Sequence, residues 1–191
     1  MKKSLFILSL AFTCISFFSC KKTEVPPPLA PADEEIIIVS GRTDLPGEGC
    51  PATEVTLFAG QTMNAGTVSV TNDSNYIYVT YNTANGWLLT QTHLYVGDCA
   101  TIPVNNPGNP IPGQFPYNTT HSNATTYTYQ IPITAIPAGS CGCIAAHAVV
   151  VKLNTAGSVV STQTGWGNGT QINTGSGNWG MKFDYCSCTS L

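Results

Sequence analysis

His93, in Thr92-His93-Leu94-Tyr95-Val96, and His147, in Ala145-Ala146-His147-Ala148, each lie in a run of strand-forming residues. Brought together on neighbouring strands near Asp98, two imidazoles and a carboxylate could ligate a metal ion or act as general bases. Apolar neighbours on both sides suit a core histidine bonded to backbone just as well, and that plainer role is the expectation for each. His121 sits in a Thr/Asn-rich stretch and is expected in a solvated loop.

Other catalytic patterns are weaker. No Gly-x-Ser-x-Gly elbow is present to expose a serine nucleophile. Glycosidase chemistry needs a carboxylate pair, and none of Glu54, Asp73, Asp98 and Asp184 belongs to a motif that would place one. Asp73 and Asp98 read as turn residues. Asn72-Asp73-Ser74-Asn75, or Asp98 with carbonyls of the following loop, offers oxygen ligands of the kind Ca²⁺ takes, without EF-hand spacing. No enzyme activity is expected, and no cofactor beyond a Ca²⁺ ion at such a turn.

A binding surface is better represented. Four aromatics are expected on loops: Phe115 and Tyr117 after a Pro/Gly-rich segment, Trp166 between glycines, and Trp179 after Gly177-Asn178. Aromatic rings stack on sugar faces while neighbouring amides take the hydroxyls, the usual division of labour in a small-ligand site. The competing role, packing over the end of a core, is the default for each of the four residues.

Past Cys20 the chain has six cysteines: Cys50, Cys99, Cys141, Cys143, Cys186 and Cys188. Closely spaced thiolates can ligate zinc, but the familiar modules use Cys-x-x-Cys rather than Cys-x-Cys. An even number in an exported chain argues for disulfides. On a strand, residues i and i+2 point the same way, so bridges are expected between segments rather than within a Cys-x-Cys pair. Cys186 and Cys188 would then tie the C-terminus to the body of the domain.

The elements that must position these residues have a period of two. Gly66-Thr67-Val68-Ser69-Val70-Thr71, a turn at Asn72-Asp73-Ser74-Asn75, and Tyr76-Ile77-Tyr78-Val79-Thr80-Tyr81 form a hairpin signal. Further strands are expected at 55–58, 87–96, 126–133, 144–153, 159–164 and 179–185, with a possible edge strand at 36–39. The Pro/Gly/Asn-rich segment 101–118 cannot pair in a sheet interior and is expected to run over the surface. About 140 residues suffice to bury roughly two thirds of the unfolded surface in one domain. The expected fold is an all-β, antiparallel β-sandwich of about eight strands, stapled by disulfides and spanning 50–191.

The N-terminus has a different character. Met1-Lys2-Lys3-Ser4 precedes a 14-residue apolar stretch, Leu5 to Phe18, short of the roughly 20 a membrane-spanning helix needs, which marks a secretory signal. Phe17-Phe18-Ser19-Cys20 resembles the lipobox of bacterial lipoproteins, with Phe17 and Phe18 where that family commonly has leucine and a small residue. The resemblance covers the first 20 residues. It implies a diacylglyceryl thioether on Cys20, removal of 1–19 and acylation of the new amine; a plain secretory peptide is the alternative. At about 0.8 kcal/mol per buried methylene, two or three acyl chains anchor a protein durably. Residues 20–49, with Pro26-Pro27-Pro28, read as a semi-rigid spacer.

Five basic residues remain beyond position 19 (Lys21, Lys22, Arg42, Lys152 and Lys182) against ten acidic ones. Two lysines in the whole domain cannot neutralise a run of phosphates, which excludes nucleic acid as a partner. His93-Leu94-Tyr95-Val96-Gly97, the run from Gly108 to Tyr117, Ile144-Ala145-Ala146-His147-Ala148, Gly165-Trp166-Gly167-Asn168-Gly169 and Asn178-Trp179 are similar to a recurrent, functionally undefined β-rich module of secreted bacterial proteins. That resemblance spans roughly 52–185 and implies a fold and an exported location, but no reaction.

The resulting expectation is an envelope lipoprotein in the outer membrane, since Lys21 stands where some bacteria use aspartate to retain lipoproteins in the inner one. Its non-catalytic domain would bind an extracellular glycan or protein through the loop end. A structural envelope module without a small ligand is the first alternative. A metal-dependent enzyme using His93, His147 and Asp98 is the second.

Overall fold

A computed structural model describes residues 52–175 and 177–189. They belong to one compact unit, Asp44–Leu191. Cys20, the spacer, the 36–39 segment and Cys50 lie outside the described residues.

The fold is all-β and antiparallel. Its strands are β1 (Thr53–Ala59), β2 (Met63–Asn72), β3 (Tyr76–Thr83), β4 (Leu88–Gly97), β5 (Tyr117–Ala124), β6 (Thr126–Pro132), β7 (Cys141–Leu153), β8 (Val159–Gly167), β9 (Thr170–Gln171) and β10 (Met181–Cys186). Three single 3₁₀ turns, and no α-helix among the described residues, join them. The strands form one sheet in the order β5-β4-β7-β8-β1-β2-β3-β6. β8 flanks β7 from His147 to Leu153, and β10 takes over from Cys141 to Ile144.

The two ends of this order, β5 and β6, are consecutive in the chain, so the sheet curls until it is nearly a closed barrel. Side chains bridge the remaining gap: the Thr119 and Tyr127 hydroxyls are 3.2 Å apart, and the His121 and Tyr127 rings lie 4.6 Å apart. Alternate residues of the strands point inward, giving a core that includes Leu57, Val68, Ile77, Tyr81, Leu94 and Val150, all fully buried.

β5 corrects the sequence reading twice. It begins inside the segment expected to be surface loop, and it carries His121, expected in a loop. Tyr117, Thr119 and His121 alternate half-buried with exposed Asn118, Thr120 and Ser122, so the strand has the right period. Its inward residues are mostly polar, which hides that period from a hydrophobicity pattern. His121 Nε2 is 2.8 Å from the Thr92 hydroxyl, and burial lowers its pKa.

β7 is buried on both faces. Its inner residues Ile144, Ala146, Ala148 and Val150 join the main core. Its outer residues Cys143 and Ala145 join a second apolar cluster with Tyr95, Ile102, Phe115, Trp166 and Met181. The chain between β4 and β5 therefore acts as a cover, laying Phe115 over the outside of the sheet.

Disulfides join segments rather than neighbours. Cys141 bonds Cys186, its direct cross-strand partner, and Cys99 bonds Cys143. Cys188 is disulfide-bonded too. The C-terminus is further held by buried Asn72, whose Nδ2 donates to the carbonyls of Asp73 and Cys188 while its Oδ1 accepts from the Tyr185 hydroxyl and the Cys188 amide.

Candidate functional site

Register across four strands creates the site. His93 on β4 faces His147 on β7, His147 faces Trp166 on β8, and Trp166 faces Phe58 on β1. Directly opposed side chains on one face of a sheet are contact neighbours, so these four rings form a row across its outer surface. The His147 and Trp166 rings meet edge to face at 4.9 Å. Phe115 backs Trp166 at 6.2 Å and Tyr95 backs Phe115 at 6.1 Å.

Trp166 belongs to β8 and not to a loop. Flanking glycines are what a loop would also carry, but Gly165 is required because a Cβ there would come 2.5 Å from the Phe58 carbonyl oxygen of β1. The glycine lets two strands meet closely, a recognised use of glycine in a sheet.

Beside this row lies a cleft of about 550 Å³, lined by Gly60, Gln61, Pro112, His147, Thr164, Trp166, Asn178 and Trp179. His147 and Trp166 form its recessed wall, at 8% and 5% exposure, while exposed Gln61, Thr164 and Asn178 supply amides and a hydroxyl at the rim. Half-buried Trp179 stands at the mouth, its ring 6.5 Å from that of Phe58.

Interlocked amides hold that side of the cleft. Asn109 Oδ1 accepts from the backbone N–H of Asn178 at 2.9 Å and from Asn173 Nδ2 at 3.0 Å, and Asn173 Nδ2 also donates to the Pro107 carbonyl.

The four aromatic residues singled out in the sequence divide. Trp166 and Trp179 line the cleft; Phe115, 2% exposed, supports Trp166 from behind; Tyr117 packs against the main core. Asn178 is marked in the sequence by its place before Trp179, and Pro112 by the run from Gly108 to Tyr117, whereas Gln61 and Thr164 carry no distinguishing signal, because only register and loop closure place them here.

The cleft lining carries no formally charged side chain. His147 is also uncharged at neutral pH: burial, reinforced by the neighbouring His93, lowers its pKa to about 3. Burial lowers that of His93 as well. Their Nδ1 atoms are 3.2 Å apart, so one Nδ1–H donates to the other's lone pair.

The remaining candidates lie elsewhere. Asp98, five residues beyond His93 and roughly 16 Å along the chain at strand rise, accepts from the Ala100 amide and caps the turn at Cys99–Thr101. Asp73 closes the β2–β3 turn, accepting from the Asn75 and Tyr76 amides through Oδ1 and from the Tyr78 hydroxyl through Oδ2. The Tyr78 bond, followed by the two amides, holds the Asp73 pKa below its usual value. Among the described residues, the one trio of His, Cys, Asp or Glu close enough to share an ion is Cys99, Cys143 and Asp184, and its two sulfurs are bonded to each other.

No known family, curated protein or solved structure matches this chain.

Proposed function

We propose that this chain is an exported, lipid-anchored envelope protein whose β-domain binds a neutral carbohydrate in the Trp166–Trp179 cleft without transforming it. The observation that carries the reading is the lining itself. Two indole rings stand with the amides of Gln61 and Asn178 and the hydroxyl of Thr164, and no carboxylate, ammonium or guanidinium is among them. Such a surface has nothing to pair with an ionic ligand, whereas a sugar offers an apolar face for stacking and hydroxyls for the amides. Export accords with the disulfides, which persist in oxidising compartments. The anchor rests on the Phe17-Phe18-Ser19-Cys20 pattern alone.

A glycan array probed with the detergent-solubilised full chain, followed by titration of the best binder with indole fluorescence as the readout, tests the reading. Saturable binding of a neutral oligosaccharide, weakened at least tenfold by Trp179→Ala or Gln61→Ala, is expected. Absence of any glycan binder, or binding unaffected by both substitutions, refutes it. For the anchor, labelled fatty acid is expected to enter the wild type and not Cys20→Ser.

A further inference from the structure

The contact between His93 and His147 can serve more than the packing of a wall. Each imidazole belongs to a long, fully paired stretch of strand, and the β4–β7 register sets the two residues directly opposite. Ring centroids are 5.3 Å apart with the planes inclined at 44°, and the two Nδ1 atoms converge to 3.2 Å. Two nitrogens at that separation, each about 2.0–2.1 Å from a shared metal ion, subtend roughly 100° at the ion, between a square and a tetrahedral arrangement.

We propose that His93 Nδ1 and His147 Nδ1 form a two-histidine chelate for a divalent transition-metal ion, open on its remaining positions to water. The donor set selects the class of ion. Imidazole nitrogen suits Cu²⁺, Ni²⁺ and Zn²⁺, with Cu²⁺ the tightest in the usual order. Ca²⁺ and Mg²⁺ need several oxygens and have none in this pair.

Binding requires the donor ring to change tautomer: the proton held between the two Nδ1 atoms moves by way of solvent to that ring's own Nε2, so both rings remain neutral with Nε2–H, both Nδ1 lone pairs face the ion, and no net proton is released. The rings are pre-positioned by the sheet, so little side-chain freedom is lost when the ion arrives. His147 lines the cleft, which supplies a route from solvent, and Trp166 packed on its ring restricts its rotation. Asp98 takes no part, its carboxylate being committed to the turn that follows β4.

The inference is independent of carbohydrate binding, and its test uses metal alone. Full chain with disulfides intact, freed of metal with EDTA and dialysed, is titrated with CuSO₄ and separately with ZnCl₂ by calorimetry. The Cu²⁺ complex is also examined by electron paramagnetic resonance. One Cu²⁺ per chain, with nitrogen splitting from two imidazoles, is the expected result.

His93→Gln and His147→Gln should each weaken binding at least 30-fold. His121→Gln, which removes a histidine outside the pair, should leave it unchanged. His93 is half-buried, so His93→Gln, checked for an unaltered circular dichroism spectrum, keeps the test valid should His147→Gln fail to fold. The proposal is overturned if Cu²⁺ binds no more tightly than about 100 µM, if the stoichiometric site survives in the double variant, or if it depends on His121.

Discussion

Replacing Asn72 by alanine tests how the C-terminal strand is fixed. Asn72 is 4% exposed and uses both ends of its amide, joining the β2 end to Tyr185 in β10 and to both backbone groups of Cys188. A net hydrogen bond contributes about 1 kcal/mol, and a buried group left without a partner costs about 1–3 kcal/mol. Asn72→Ala deletes four bonds and orphans the Tyr185 hydroxyl, in a residue 2% exposed. The Cys188 groups, nearer the chain end, can turn to water. The expected loss is therefore about 2–4 kcal/mol, a large part of a typical domain stability. The Cys188 disulfide keeps the end attached, so the loss comes from packing and not from release of the chain. Guanidinium unfolding of the oxidised protein, followed by tryptophan fluorescence, measures it through the shift in midpoint at constant slope. In a Tyr185→Phe background no hydroxyl is left to orphan, and the same substitution should cost about 1–2 kcal/mol less. A loss below about 0.5 kcal/mol, or an equal loss in both backgrounds, would refute the assignment of Asn72 as the polar hub of this closure.

Three further perturbations probe other parts of the argument. Removing the Cys141–Cys186 bridge with paired serines opens a loop of sequence separation 45, for which chain entropy sets a loss of up to about 4 kcal/mol; an unchanged melting temperature would contradict a structural role. Asp73 has a folded-state pKa below its ordinary value of 3.8, so its ionised form stabilises the fold above that pH and the benefit disappears as pH falls through the lowered value. The stability gap between wild type and Asp73→Asn should accordingly be present at pH 6 and close in acid, and a gap independent of pH would place its origin elsewhere. Gly165→Ala drives a methyl group against the β1 backbone, so the expected result is a loss of about 1–3 kcal/mol, together with a shift in Trp166 emission.

The fold was largely legible because most strands alternate apolar and polar residues, and the even number of cysteines together with the same-face rule for Cys-x-Cys pointed to bridges between segments. Residues whose burial depends on distant partners were not legible. β5 shows no apolar period because its inward residues meet the polar side chains of Thr92 and Tyr127. The glycines around Trp166 resemble loop punctuation until the neighbouring β1 backbone is in place. Both histidines could be named as candidates, but whether they met was a question of register, and a slip of one residue would have turned one of them to the opposite face. Asp98 illustrates the converse, since proximity in sequence to His93 suggested a shared site while local capping claimed its carboxylate.

Burial of β7 on both faces gives one strand two separable roles. Ala146 and Ala148 face the main core on either side of His147, and any larger side chain there must displace packed neighbours, a change felt as lost stability. His147, between them, faces the cleft and His93. A substitution at His147 that keeps its volume should therefore leave the inner core intact and alter the outer surface, whereas enlargement of Ala146 or Ala148 should do the reverse. The same asymmetry explains why a histidine surrounded in sequence by alanines and valines reads as a core residue. Its immediate neighbours Ala146 and Ala148 are apolar because they occupy the inner face, and strand geometry places His147, itself buried at 8% exposure, in the outer row beside the cleft.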